Sequence, residues 1–215
     1  MNISQGEDLA LAVQIIREGG IVAFPTETFY GLAVDPYNTI ALQRLIAVKG
    51  RDAAKPILVL VQDIEQCHQL IKGVMPDSFL TLAKTFWPGP LTLICETVAS
   101  LPVELTGLTG TLGMRQSSHP LAMQLLYKAG HPLTGTSANL SGQPAAETAE
   151  QVRTMFSDTV DYVLNGGQTK GKKASTLVKC TPDIVQCLRE GAIDFNIILD
   201  ALPQQNRACH NREGA

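Results

Sequence analysis

The sequence predicts one α/β domain, a sheet with helices over much of its surface and some strand pairs antiparallel. Three observations carry this: helix-like and strand-like segments alternate, the strand-like ones are nearly continuous apolar runs, and no repeat or linker divides them. At 215 residues and 45% hydrophobic, the chain can bury one full core and is short for two. The domain is expected over 1–200, with the polar, aperiodic 201–215 as a poorly ordered tail.

Residues 7–18 set Leu9, Leu11, Val13, Ile15 and Ile16 on a helix, with Ser4 and Glu7 spaced as a capping box and Gly19-Gly20 to end it. IVAF at 21–24 reads as a buried strand. A second helix covers 39–48 and leads into the strand-like ILVLV at 57–61. A helix at 77–86, strands LTLIC (91–95) and TLGMR (111–115), a helix at 120–129 and a return at 132–136 follow. Segments 147–156, 160–164, 175–180 and 184–188 keep the same texture.

Composition narrows the function. A formal charge of -3 argues against a broad basic face for bulk nucleic acid, so any polyanion site must be local. The cysteines, Cys67, Cys95, Cys180, Cys187 and Cys209, form no CxxC pair and suit a reducing cytoplasm better than a disulfide framework. The opening MNISQGEDLALAVQ lacks the pattern of a secretory signal, and no apolar run approaches the roughly 20 residues that span a bilayer, so no membrane partner is expected.

Four segments can carry chemistry. FPTETFYGLAVD (24–35) follows a strand and gathers Thr26, Glu27, Thr28 and Tyr30 where α/β sheets place ligands; taken alone, a strand-to-turn connection with Thr and Tyr capping the backbone accounts for it slightly better. KGRDAAKP (49–56) sets Lys49, Arg51 and Lys55 against only Asp52, which suits a triphosphate, although Lys49 also fits the last turn of a helix as a dipole partner. In GMRQSSHP (113–120), Arg115 at a strand end can clamp a carboxylate with two parallel hydrogen bonds, and His119 reads as a capping or packing residue. GTSANLSG (135–142) is either an anion-binding nest or an ordinary turn.

Gly166 with Gly171-Lys172 copies most of a P-loop, but Lys173 replaces the magnesium-binding hydroxyl and ASTLVK reads as a strand where a helix is needed. Lys170, Lys172 and Lys173 are therefore a solvated basic loop. No catalytic triad, metal-spaced His/Cys set or GxGxxG loop is visible, and no metal ligands are expected from the protein.

FPTETFYGLAVD, KGRDAAKPILVLV, FWPGPLTLI, GMRQSSHPLA, PLTGTSANLSGQPA, ASTLV and LREGAI together, from residue 24 to 193, resemble the YrdC/TsaC family of threonylcarbamoyl-AMP synthases. The resemblance implies a twisted mixed sheet with covering helices around a deep basic cavity. It also implies an enzyme that joins L-threonine, bicarbonate/CO2 and ATP into threonylcarbamoyl-adenylate and pyrophosphate for tRNA modification, with no protein nucleophile. By motif position, Thr28, Arg115 and Ser175 would hold threonine, and Arg51, Lys55, Thr111, Ser137 and Arg189 would hold ATP, with Lys49 joining them. Arg51, Lys55 and Arg115 would act by positioning, and Mg2+ would ride on the triphosphate. Downstream tRNA threonylcarbamoyl transferase machinery and a weak tRNA contact are the implied partners.

Two departures stand out. Leu60 occupies the position where many relatives carry a His near threonine, and KGKKA at 170–174 replaces a small or acidic residue before the Ser-Thr pair. The extra C-terminal domain of longer relatives is not expected here. Two alternatives remain: a paralogue of the same fold with another acyl-adenylate role, and a non-enzymatic RNA-binding module, which the charge and the 5% aromatic content disfavour.

Overall fold

The computed structural model describes residues 5–203. Helix α1 (Gln5–Arg17) ends at Gly19, whose φ of 86° turns the chain into β1 (Val22–Pro25). The expected Ser4 cap lies outside the described residues. A tight turn joins β1 to β2 (Tyr30–Ala33), so the hydroxyl-rich motif is the tip of an antiparallel hairpin.

Helix α2 (Thr39–Lys49) starts where the Asn38 side chain accepts the Ala41 N–H and stops at left-handed Gly50. The apolar run at 57–61 contributes only a short ladder, β3 (Val59–Leu60), because Ile57 donates its N–H to the Leu105 carbonyl instead. Two helices that the periodicity did not show, α3 (Ile64–Leu70) and α5 (Val103–Thr106), flank α4 (Asp77–Phe86) and β4 (Leu91–Glu96). Strand β5 (Thr111–Arg115) and helix α6 (Pro120–Ala129) follow at their expected bounds. Pro120 opens α6 and left-handed Gly130 closes it.

Strands β6 (Leu133–Thr134) and β7 (Thr136–Ser137) then separate by one residue into different sheets. Helix α7 (Ala149–Phe156) has a reciprocal capping box between Thr148 and Gln151. Strands β8 (Tyr162–Val163), β9 (Thr176–Cys180) and β10 (Val185–Arg189) lead to a further unexpected helix, α8 (Phe195–Asp200). Because Phe195, Ile198 and Leu202 enter the main core, packing continues past residue 200. The rest of the expected tail, from residue 204, lies outside the described residues.

The strands form two sheets rather than one. The smaller runs β7-β2-β1-β8 and the larger β10-β9-β4-β5-β3-β6. Both are mixed: β1 pairs antiparallel with β2 and parallel with β8, while β4 pairs antiparallel with β5 and parallel with β9. Hydropathy marks a buried strand but not its partner, so this division is settled by long-range pairing alone. The larger core joins both sheets to α2, α4, α7 and α8; a second gathers α1 and α6 with Val22, Phe24 and Leu60.

Candidate functional site

The two sheets share one cavity of about 750 Å³. The β1–β2 turn supplies Thr26 and Thr28, β4 supplies Thr92, β5 supplies Thr111 and Arg115, and β7 supplies Thr136 and Ser137. Arg51, Lys55, Ser175 and Arg189 add to the polar wall. Of the nine residues assigned to threonine or ATP by motif position, eight line this cavity and Lys49 does not.

One end is buried and internally paired. Arg115 closes β5 at 3% exposure; its Nη1 donates to Thr28 Oγ1 at 3.4 Å, and its Nε stands 3.5 Å from Glu27 Oε1. Thr28 is held in turn by Thr26, the two hydroxyl oxygens being 3.1 Å apart. In the same lining the Ser175 and Thr92 hydroxyls pair at 2.8 Å, and Arg189 Nη2 donates to the Ser175 carbonyl at 2.8 Å.

The other end is open. Lys55 is exposed, and Thr111 is half-buried beside Thr109, their hydroxyl oxygens 2.8 Å apart. Arg51 donates from Nη2 to the Pro56 carbonyl and from Nη1 to Thr136 Oγ1 at 3.5 Å, while its buried Nε has no hydrogen-bond partner. It is anchored at one edge and unsatisfied at another.

The lining holds four cationic side chains, Arg51, Lys55, Arg115 and Arg189, and no Asp or Glu. Burial lowers the pKa of Arg51 and of Arg115, while Asp52 and Glu27 oppose it. Arg189 is lowered by burial and then by the charge of Arg115. Converging positive charges with little compensation favour an anionic ligand, which would relieve both the desolvation and the repulsion.

Lys49 is the residue the fold does not bring to the cavity. It is 4% exposed, and its ammonium donates to the carbonyls of Ser137 and Asn139 and to Asn139 Oδ1. Burial, then Arg51, pulls its pKa down to about 8, while three oxygen acceptors favour the charged form. Its reach to acceptors 88 and 90 residues away could not be read from a helix terminus. The same loop settles as a turn rather than a free nest, since the N–H groups of Ala138, Asn139 and Ser141 donate to Tyr30, Ser137 and Lys49 carbonyls.

The Sua5/YciO/YrdC family model, described as telomere recombination, matches residues 14–191. The chain belongs to this family. The threonylcarbamoyl-AMP synthase of Bacillus subtilis is 40% identical over 187 residues, covering 86% of this chain and 54% of that protein. Pyrococcus abyssi Sua5 complexed with L-threonine superposes with a TM-score of 0.89 at 33% identity, covering 98% of this chain and 61% of that one. YciO of Escherichia coli gives a TM-score of 0.79 at 27% identity, over 90% and 93% of the two chains. This chain thus spans about half the length of the Bacillus protein.

Within this family frame Leu60, at the position of the expected His, is fully buried and outside the lining. It packs beneath Gly135, where an added Cβ would stand 2.8 Å from Leu60 Cγ, so Gly135 serves close packing. The basic loop is tied to the cavity by the Gly171 N–H, which donates to the Thr28 carbonyl at 2.9 Å. Sequence reasoning missed Thr92 and Thr136. Thr92 had a signal, being the one hydroxyl in the buried run LTLIC; Thr136 sat in a segment indistinguishable from a turn.

Proposed function

We propose that the chain is a threonylcarbamoyl-AMP synthase, forming threonylcarbamoyl-adenylate and pyrophosphate from L-threonine, bicarbonate/CO2 and ATP. The observation that carries this reading is one cavity with a buried, hydroxyl-flanked arginine at one end and acid-free cationic walls. The name of the Bacillus relative and the threonine complex of Pyrococcus Sua5 support it.

Arg115 grips the threonine carboxylate through two parallel N–H donors, and the hydroxyls of Thr28 and Ser175 fix the rest of the amino acid. The amine adds to CO2 and loses a proton, giving a carbamate. Its oxygen bonds to the α-phosphorus as the bond to the β-phosphate oxygen breaks and pyrophosphate leaves. Arg51, Lys55 and Arg189 neutralise the triphosphate, with Thr111 and Ser137 along the nucleotide. Mg2+ would arrive with ATP and would supply further neutralisation of negative charge, the lining offering no carboxylate to hold it. No protein nucleophile takes part, so catalysis comes from alignment, for which up to about 7–11 kcal/mol is available, and from fixed charge.

The product would serve N6-threonylcarbamoyladenosine formation in tRNA through a separate transferase in the cytoplasm, with at most weak direct tRNA contact. Among the described residues four cysteines are free and no helix is long and apolar enough to cross a membrane. Incubation with ATP, Mg2+, threonine and bicarbonate should release pyrophosphate and yield the adenylate by mass, without tRNA. Equal pyrophosphate release in the absence of threonine contradicts the reading.

A further inference from the structure

Among the described residues, Glu27 is the acidic group paired with the cavity's buried arginine, yet it is not part of the cavity wall. Its side chain is only 10% exposed, and that of Arg115 4%. Oε2 accepts a short hydrogen bond from the Ser117 hydroxyl. Ser117 is fully buried, and its Oγ also accepts the His119 N–H at 3.1 Å, at the residue that caps α6. Burial lowers the pKa of His119, with Glu27 opposing, so the imidazole adds little charge of its own here. A continuous brace therefore runs from the start of α6 through Ser117 and Glu27 to the guanidinium.

We infer that Glu27 is a positioning residue, holding the Nε edge of Arg115 so that the remaining N–H donors meet the carboxylate of the amino-acid substrate. A guanidinium has five donors in a fixed plane, so fixing one edge fixes the direction of the others. Here Nε stands 3.5 Å from Glu27 Oε1 as an ion pair, and Nη1 donates to Thr28 at the cavity wall. Nε and Oε1 are both buried and neither has a hydrogen-bond partner, so the 3.5 Å ion pair between them is what compensates each. A freely rotating arginine could attract a carboxylate but would not present two parallel bonds. This inference rests on the proposed role of Arg115 as carboxylate clamp.

The test compares binding of threonine and of threoninamide, which lacks the carboxylate, by calorimetry in the full chain. Wild type should prefer threonine. In Glu27→Ala the preference should fall by about tenfold or more, the equivalent of one misaligned charge-assisted bond. Glu27→Gln, which keeps the shape and the Ser117 contact, should recover part of it, while ATP affinity stays at the wild-type level in both. A preference that stays at the wild-type level in Glu27→Ala, or that grows in Glu27→Gln, makes Glu27 a mere counter-charge and overturns the inference. Equal losses for threonine and threoninamide indicate general damage to the fold and overturn it as well. If the Ala variant does not fold, the Gln variant alone decides on the same criterion. Arg115→Lys separates the two layers: full preference there removes the clamp reading itself, whereas collapse there with both Glu27 variants normal removes only the role of Glu27.

Discussion

The two ends of the cavity use cations in opposite ways. Arg115 is buried and held by Glu27 and Thr28, and the Ser175 and Thr92 hydroxyls in the same lining are fixed on each other. Lys55 is exposed at the open end, and Arg51 is anchored through the Pro56 carbonyl with a donor left over. A small substrate with one carboxylate needs direction; a triphosphate, with many equivalent oxygens, needs charge. The first end therefore resembles a preorganised clamp and the second a field, and the two should respond differently to changes of geometry and of salt.

Arg115→Lys gives the largest expected effect, because it keeps the charge and removes the fork. Threonine KM should rise and turnover fall, by the amount typical of a disrupted buried charge pair, about 2–5 kcal/mol in kcat/KM. ATP affinity without threonine should stay at the wild-type level; equal loss of ATP binding would erase the boundary between the two ends. Arg51→Ala should weaken ATP binding by roughly 1.5–3 kcal/mol, measured by calorimetry, with threonine affinity unchanged.

How much of this contrast was legible in the sequence depends on distance along the chain. Helix α6 could be bounded to the residue because Pro120 and Gly130 are local signals, and β5 because TLGMR is a self-contained apolar run. The β1–β2 hairpin was hidden because its second strand begins inside the hydroxyl motif, at Tyr30. Arg115 and Arg51 were found by residue type and by the family motifs. Their difference in setting was not, since Glu27 lies 88 positions from Arg115 and no periodicity joins them. Lys49 failed for the same reason: its acceptors lie on β7 and the loop beyond it.

Lys49 sharpens the comparison from outside the cavity. Lys49→Met should leave the Ser137 and Asn139 carbonyls without their donor and lower stability by about 1–3 kcal/mol in urea denaturation. Its effect on ATP affinity should be smaller than that of Arg51→Ala, because it acts only by holding Ser137. The smallest effect belongs to Lys55→Ala: a few-fold loss of ATP affinity at low salt that disappears as salt rises. A loss that persists at high salt would make Lys55 a geometric contact like Arg115 rather than part of a field.

The division of the cavity is tested most directly by a crystal structure of the chain with threonine and a non-hydrolysable ATP analogue. The account predicts the threonine carboxylate on the Nη atoms of Arg115, with Nε still facing Glu27, and the phosphates against Arg51, Lys55 and Arg189. Phosphate on Arg115, or threonine bound at Lys55 and Thr111, would contradict it.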